Sequence, residues 1–554
     1  MALRIDTASI NDERPRDESG HDDAHSPEAE MEDLALSPMV EDLDTSDASL
    51  LPLSMTDSAS GARPLPSLNG PITYRDVPFI GVYIAHALFT LIAVNAIRSD
   101  DADDSDDGGS KADPAEVADA AAAKLSAGDI GVALRSLCVI NILFAVGWML
   151  LFTFYSKMRF LQGSCAFSTF GLLVLAVILL SMESGDALFL GIIVMFTIVM
   201  DLTWMIKTKN GFDFVAVLFE LVVDFLLGHP SLAVVTVGIL VVYTIWASWI
   251  CTTIAFVGSH DVSPWSFSML YMYLHFYWTS NIFKNILTVV VSGTTMIWYY
   301  KDDSSDVSPS LASENISDHD VSPSDLEQQS NDSSSGAHSL NANAMDRRIV
   351  GHFLKSALSS SFGSVCIGSL LCPLAHIIWN IVRWARRDES VLSRRFVSLR
   401  SEYVEHFIRT YHKYSFVHIA GYGKPFYVAA HDAWALIESR GVEAIVDDDL
   451  TSRLLLLGAN GWASVMGAMC LSALSTSGHA VFFGLASFTL CYTTLSSATQ
   501  VIAAVIKTLF VCFTENPSRL SQLNPLIYHR FVRLSELKNF RDHKAAPPSS
   551  RAMG

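Results

Sequence analysis

The chain has 554 residues, 50% of them hydrophobic and 17% charged, with a mean hydropathy of +0.33 and a formal net charge of -20. So apolar a composition excludes an ordinary soluble domain and points to a polytopic membrane protein. The acidity is local: residues 1–76, 98–130 and 301–347 hold more than the whole negative excess, which leaves a mildly basic body without the basic stripe that binding nucleic acid requires.

Residues 1–76 are rich in Asp, Glu, Ser and Pro and have no apolar core, which predicts a disordered acidic tail and no cleavable signal peptide. A helical span needs about 20 mainly apolar residues. Runs of that kind occur at 78–97, 132–155, 165–183, 187–206, 230–257, 360–384, 452–473 and 478–512. Residues 77–535 are therefore expected to form an all-α bundle of about ten transmembrane helices, carrying acidic loops at 98–130 and 301–347 and followed by a C-terminal tail, 536–554.

Three segments resist simple counting. The apolar run 266–300 is too long for one untilted span and short for two. The stretch 411–437 is interrupted by His412, Lys413, His418, Lys424, Pro425, His431 and Asp432. In 211–228, Asp213, Glu220 and Asp224 recur at helical spacing on an otherwise apolar helix, a pattern suited to an interfacial or interior-facing position.

Loop charge constrains the topology. Lys157 and Arg159, Lys207 and Lys209, the group Arg383, Arg386 and Arg387, and the group Arg519, Arg530 and Arg533 should all face the cytoplasm. All four groups agree if 266–300 crosses twice, with a break near Asn281 to Lys284, and if 411–437 lies on or dips into the cytoplasmic side. That arrangement is the expected one; it places loop 301–347 outside, where Asn315 and Asn331 could accept glycans. The alternative has 266–300 crossing once and 411–437 spanning, and it leaves the Arg383 to Arg400 cluster outside.

No enzyme signature is present: there is no Gly-rich phosphate loop, no His-Glu-x-x-His and no nucleophile elbow, so no enzymatic activity or cofactor is expected. Cys138, Cys165, Cys251, Cys366, Cys372, Cys470, Cys491 and Cys512 lie in or beside apolar runs without a CxxC pair or Cys/His cluster, and are read as small buried hydrophobes rather than metal ligands. Ionisable residues within membrane segments are costly and are commonly kept for a pathway or a partner. They are Asp201, Glu220, Asp224, His275, Lys284 and Lys507. Asp201 and Lys507 sit within snorkelling distance of span ends, and Lys284 marks the expected break in 266–300.

Aromatic residues form the strongest group. Tyr243, Trp246 and Trp249 recur at i, i+3 and i+6 on the fifth span, and Tyr271, Tyr273, His275, Phe276, Tyr277 and Trp278 cluster on the next. Such rings suit a quaternary ammonium, which gains about 0.5–2 kcal/mol over an aromatic face without a hydrogen bond, although an interfacial aromatic belt has the same composition. The candidate substrate residues are Tyr243, Trp246, Trp249, Tyr277, Trp278, Asn281, Glu220 and Asp224. Gly363, Ser364, Gly368 and Ser369 mark a helix built for close packing, and Gly293, between Ser292 and Thr294, a place for helix irregularity.

Four segments in order, YWTSNIFKNILTVVVSGTTMIWYY (277–300), SFGSVCIGSLL (361–371), HKYSFVHIAGYGKPFYVAAHDAW (412–434) and TLFVCFTENP (508–517), resemble the choline transporter-like family, most closely its fungal pH-nine-sensitive branch. Trp246-Ala-Ser248 also fits. The likeness covers roughly 75–535 and leaves out the tail, the Asp-rich stretch 101–107 and the insertion 301–347. It implies a multi-pass plasma-membrane protein with ten spans, a cytoplasmic N-terminus and a transport role; basic residues after the last span put the C-terminus in the cytoplasm too. Animal members carry an acidic residue just before the terminal motif where this chain has Lys507, which makes their choline transport a poor guide. The aromatic, weakly acidic interior would itself suit choline or a related amine. A different class of function, a non-transporting scaffold that recruits partners through its acidic tail among the membrane lipids, is the alternative.

Overall fold

The computed structural model describes residues 73–106, 136–182, 184–258, 266–301, 334–387, 401–439, 450–473 and 480–533. The acidic tail before residue 73, Asn315, Asn331 and the C-terminal tail lie outside the described residues. Among the described residues all regular secondary structure is helical. In order these are α1 (Val77–Asp106), α2 (Ser136–Phe154), α3 (Lys157–Ser181), α4 (Gly185–Thr208), α5 (Phe212–Gly228), α6 (Pro230–Gly258), α7 (Phe267–Tyr300), α8 (Ser334–Leu358), α9 (Phe362–Arg387), α10 (Ser401–Thr410), α11 (Ser415–Tyr422), α12 (Phe426–Ser439), α13 (Leu450–Ala473), α14 (Ala480–Glu515) and α15 (Pro517–Leu523), followed by a last helical stretch, 525–533. Nine of them, α1 to α4, α6, α7, α9, α13 and α14, are long and apolar enough to cross a membrane.

Local chemistry sets several ends. The Ser184 hydroxyl accepts from Ala187 N at 3.3 Å to start α4, and Asp186 and Lys207 match its dipole at either end. Ser266 starts α7 the same way, accepting from Met269 N. Gly423, at φ 59°, closes α11 through its N–H to the Ile419 carbonyl, a left-handed conformation that glycine adopts freely. The chain then reverses into α12: His412 Nε2 donates to the Ala430 carbonyl oxygen at 2.9 Å and the Tyr411 and Tyr427 hydroxyls meet at 2.8 Å, so α11 and α12 form a helical hairpin.

The expected break near Asn281 to Lys284 is absent, and α7 runs unbroken over 34 residues. No Gly or Pro occurs between Phe267 and Ser292, and the polar side chains thought to mark a break are bonded from within the helix instead: Asn281 Nδ2 donates to Tyr277 O, Lys284 Nζ to Ser496 Oγ and Asn285 Nδ2 to Ser369 Oγ. With partners supplied by α9 and α14, the helix has no reason to open. The double crossing of 266–300 is therefore corrected to a single helix.

α5 places its candidate acids Glu220 and Asp224, with Asp213, on one outward face: all three are exposed, while Val215, Leu218, Phe219, Val222 and Phe225 are buried against the bundle. Contacts then show which helix ends meet. Lys157 Nζ donates to Phe152 O, Phe152 packs on Phe219, Phe225 on Trp298, the Tyr299 hydroxyl donates to Asn516 O, and the Arg453 guanidinium lies over Trp204. The ends of α2, α4, α7 and α14 thus share one end of the bundle with the starts of α3, α6 and α13.

Candidate functional site

Most of α7 beyond Trp278 is buried, yet Tyr277, Asn281, Lys284 and Asn285 stay partly open. Their spacing of i, i+4, i+7 and i+8 puts them on one face of the helix. The Tyr277 hydroxyl donates to Leu370 O at 3.0 Å and Asn285 to Ser369 Oγ at 2.9 Å, both on α9. On the other flank, Lys284 donates to Ser496 Oγ at 3.0 Å and Gln500 Nε2 to Thr288 Oγ1 at 2.8 Å, from α14. Gln500 and Lys507, seven residues apart on α14, are likewise partly open. A polar stripe, shared by three helices, therefore runs through an apolar bundle.

Beside it lies a continuous array of rings. Tyr243 is fully buried, its hydroxyl donates to Ser280 Oγ at 3.4 Å, and its ring lies 6.0 Å from that of Trp246. Trp246 meets His275 edge-on at 5.8 Å, His275 lies 5.1 Å from His86, and His86 lies 5.2 Å from Trp278, which in turn contacts Tyr83 at 5.3 Å. The array crosses from α6 through α7 to α1. Within it, His86 Nε2 and His275 Nδ1 are buried and have no hydrogen-bond partner among the described residues.

The candidate residues fall into several places. Tyr243 and Trp246 touch, and Trp278 joins them through the two histidines. Trp278 also donates from Nε1 to Cys366 O at 3.0 Å, so one edge of its ring is anchored to α9. Trp249 packs instead with Val94, Ile250 and Met269. Tyr277 and Asn281 belong to the polar stripe. Glu220 and Asp224 lie apart from all of these, on the exposed face of α5, where Lys157 is the charge they act on. His86 and Tyr83 on α1 had no signal in the sequence, because an isolated His and Tyr on an apolar run look like any interfacial ring.

Two further junctions went unread. Glu515 Oε2 accepts from the hydroxyls of Tyr300, at 2.8 Å, and Tyr422, at 2.7 Å, and Oε1 lies 3.8 Å from His418 Nε2. Asp76 Oδ2 accepts from Ser364 Oγ at 2.5 Å and from Phe426 N at 2.8 Å, joining α1, α9 and α12. Gly363 and Gly368 serve these close approaches: a Cβ on Gly363 would strike the Arg75 and Asp76 carbonyls, and one on Gly368 the rings of Phe416 and Phe426. Among the described residues no group of three His, Cys, Asp or Glu side chains is placed to hold a metal.

A polytopic helical bundle with a polar stripe through its interior defines a transporter-type membrane protein. The chain belongs to the plasma-membrane choline transporter family, whose model matches residues 191–518. It is 23% identical to Protein PNS1 of Mycosarcoma maydis over 329 residues, 54% of each chain. A CTL-like protein of Dictyostelium discoideum is 22% identical over 362 residues, 62% of this chain and 56% of that relative. Protein PNS1 of Saccharomyces cerevisiae is 24% identical over 273 residues, 46% and 43% of the two chains. The chain thus spans about half the length of these relatives.

Proposed function

We propose that this protein moves choline or a related small amine across the plasma membrane, through the interface of α7 with α6, α9 and α14. The observation that carries the reading is the partly open polar stripe Tyr277, Asn281, Lys284 and Asn285 on a helix that is mostly buried beyond Trp278. Polar side chains inside a bilayer-spanning bundle are costly, and beyond bonding neighbouring helices they commonly serve a pathway. The array Tyr243, Trp246, His275 and Trp278 adds π faces suited to an alkylated ammonium.

In cells, radiolabelled choline and ethanolamine uptake is the test. In Trp246→Ala protein that still reaches the plasma membrane, uptake should fall roughly twofold to thirtyfold, the equivalent of about 0.5–2 kcal/mol per cation–π contact. Unchanged uptake would remove Trp246 from the amine site. Trp278→Phe separates packing from binding: it keeps a ring but loses the bond to Cys366 O.

A further inference from the structure

Lys284 does not fit a bare cation as ligand. Its ammonium donates to the neutral Ser496 hydroxyl at 3.0 Å, and among the described residues no carboxylate lies within ion-pair distance of it. Besides its burial, a second ammonium, Lys413, acts on it. Of the polar groups that continue the stripe, Asn285 bonded to Ser369 and Gln500 bonded to Thr288 are neutral, and Lys507 is a further cation. An ammonium held inside a membrane bundle without an opposite charge is strongly disfavoured, and a choline-like amine beside it would make the imbalance worse. Lys284 is of intermediate exposure.

We propose that Lys284 holds an anionic group, with Ser496 and Asn285 as its polar neighbours. The group is either the phosphate or carboxylate of a zwitterionic amine or an inorganic anion bound together with the amine. The amine half of this inference rests on the transport reading; the anion half does not.

The test uses purified full-length chain, with wild type, Lys284→Gln and Lys284→Arg compared for binding of radiolabelled phosphocholine and of choline in chloride and in gluconate buffer. Anion-dependent binding should fall about tenfold to a hundredfold in Lys284→Gln, as for loss of a charged hydrogen bond, and be largely kept in Lys284→Arg. Dependence carried by phosphocholine assigns the anion to the substrate, and dependence on chloride assigns it to a separate ion; either supports the site. Lys284→Gln protein with an unchanged gel-filtration profile that binds every probe as wild type does would overturn it. Should that variant not fold, absence of any anion dependence in wild type and Lys284→Arg overturns it equally. If chloride raises the unfolding temperature of wild type but not of Lys284→Gln while neither choline nor phosphocholine binds, the anion site stands and the amine reading fails.

Discussion

At Glu515 one carboxylate ties together three helix ends. It terminates α14, receives Tyr300 from the end of α7 and Tyr422 from the end of α11, and its side chain is only 7% exposed. Hydrogen bonds to an ionised acceptor contribute about 1.5–3 kcal/mol, and truncating one partner leaves others unsatisfied. Glu515→Gln should therefore lower stability by about that amount, seen as a lower midpoint in thermal unfolding of the detergent-purified protein. Tyr300→Phe and Tyr422→Phe should combine less than additively, because both donate to the same oxygen. The motif TLFVCFTENP (508–517) that contains Glu515 was visible in the sequence; the partners of Glu515 were not, since they lie 93 and 215 residues away.

Among elements, α7 and the α3–α13 pair show how side-chain size and polarity set packing. The aromatic and polar faces of α7 were legible as composition, but composition alone read Asn281 and Lys284 as a break where α14 and α9 supply partners. α3 and α13 approach through glycines: a Cβ on Gly171 would lie 2.5 Å from the Gly461 carbonyl oxygen, and one on Gly461 would meet the Phe167 backbone at 2.9 Å. Backbone cannot yield as a flexible side chain can. Gly461→Leu should therefore destabilise by at least about 1–3 kcal/mol through overpacking, whereas Gly238→Leu, on an exposed face with nothing within 4 Å, should leave thermal unfolding unchanged. Neither glycine stands out from the other in sequence.

For the whole molecule, the meeting of helix ends restricts the number of crossings. α7 ends and α13 begins at the same end of the bundle, so the chain between them passes an even number of times. With α9 as one pass, a further odd number of passes falls to the rest of the chain between them, and α11 with α12, which reverse at Gly423, do not supply it as a pair. The single crossing of 266–300 bounds these passes, since α7 is one unbroken helix. Single cysteines at Lys301 and Leu450, in a chain whose own cysteines are replaced, should then be labelled by a membrane-impermeant maleimide from one side, and a cysteine at Arg387 from the other. Labelling of all three from the same side would make α9 a re-entrant helix instead.

The sequence by itself determined that the chain is an all-α membrane protein, roughly where most spans lie, and to which family it is similar, because hydropathy and motif order are local properties that survive without a partner. Only the tertiary structure decided what the polar residues do. Whether Lys284 breaks a helix or is bonded within an intact one depends on Ser496, and whether Glu220 and Asp224 face inward or outward depends on which side of α5 the bundle covers. In a bilayer the cost of a polar group is set by its neighbours, and those neighbours come from distant parts of the chain.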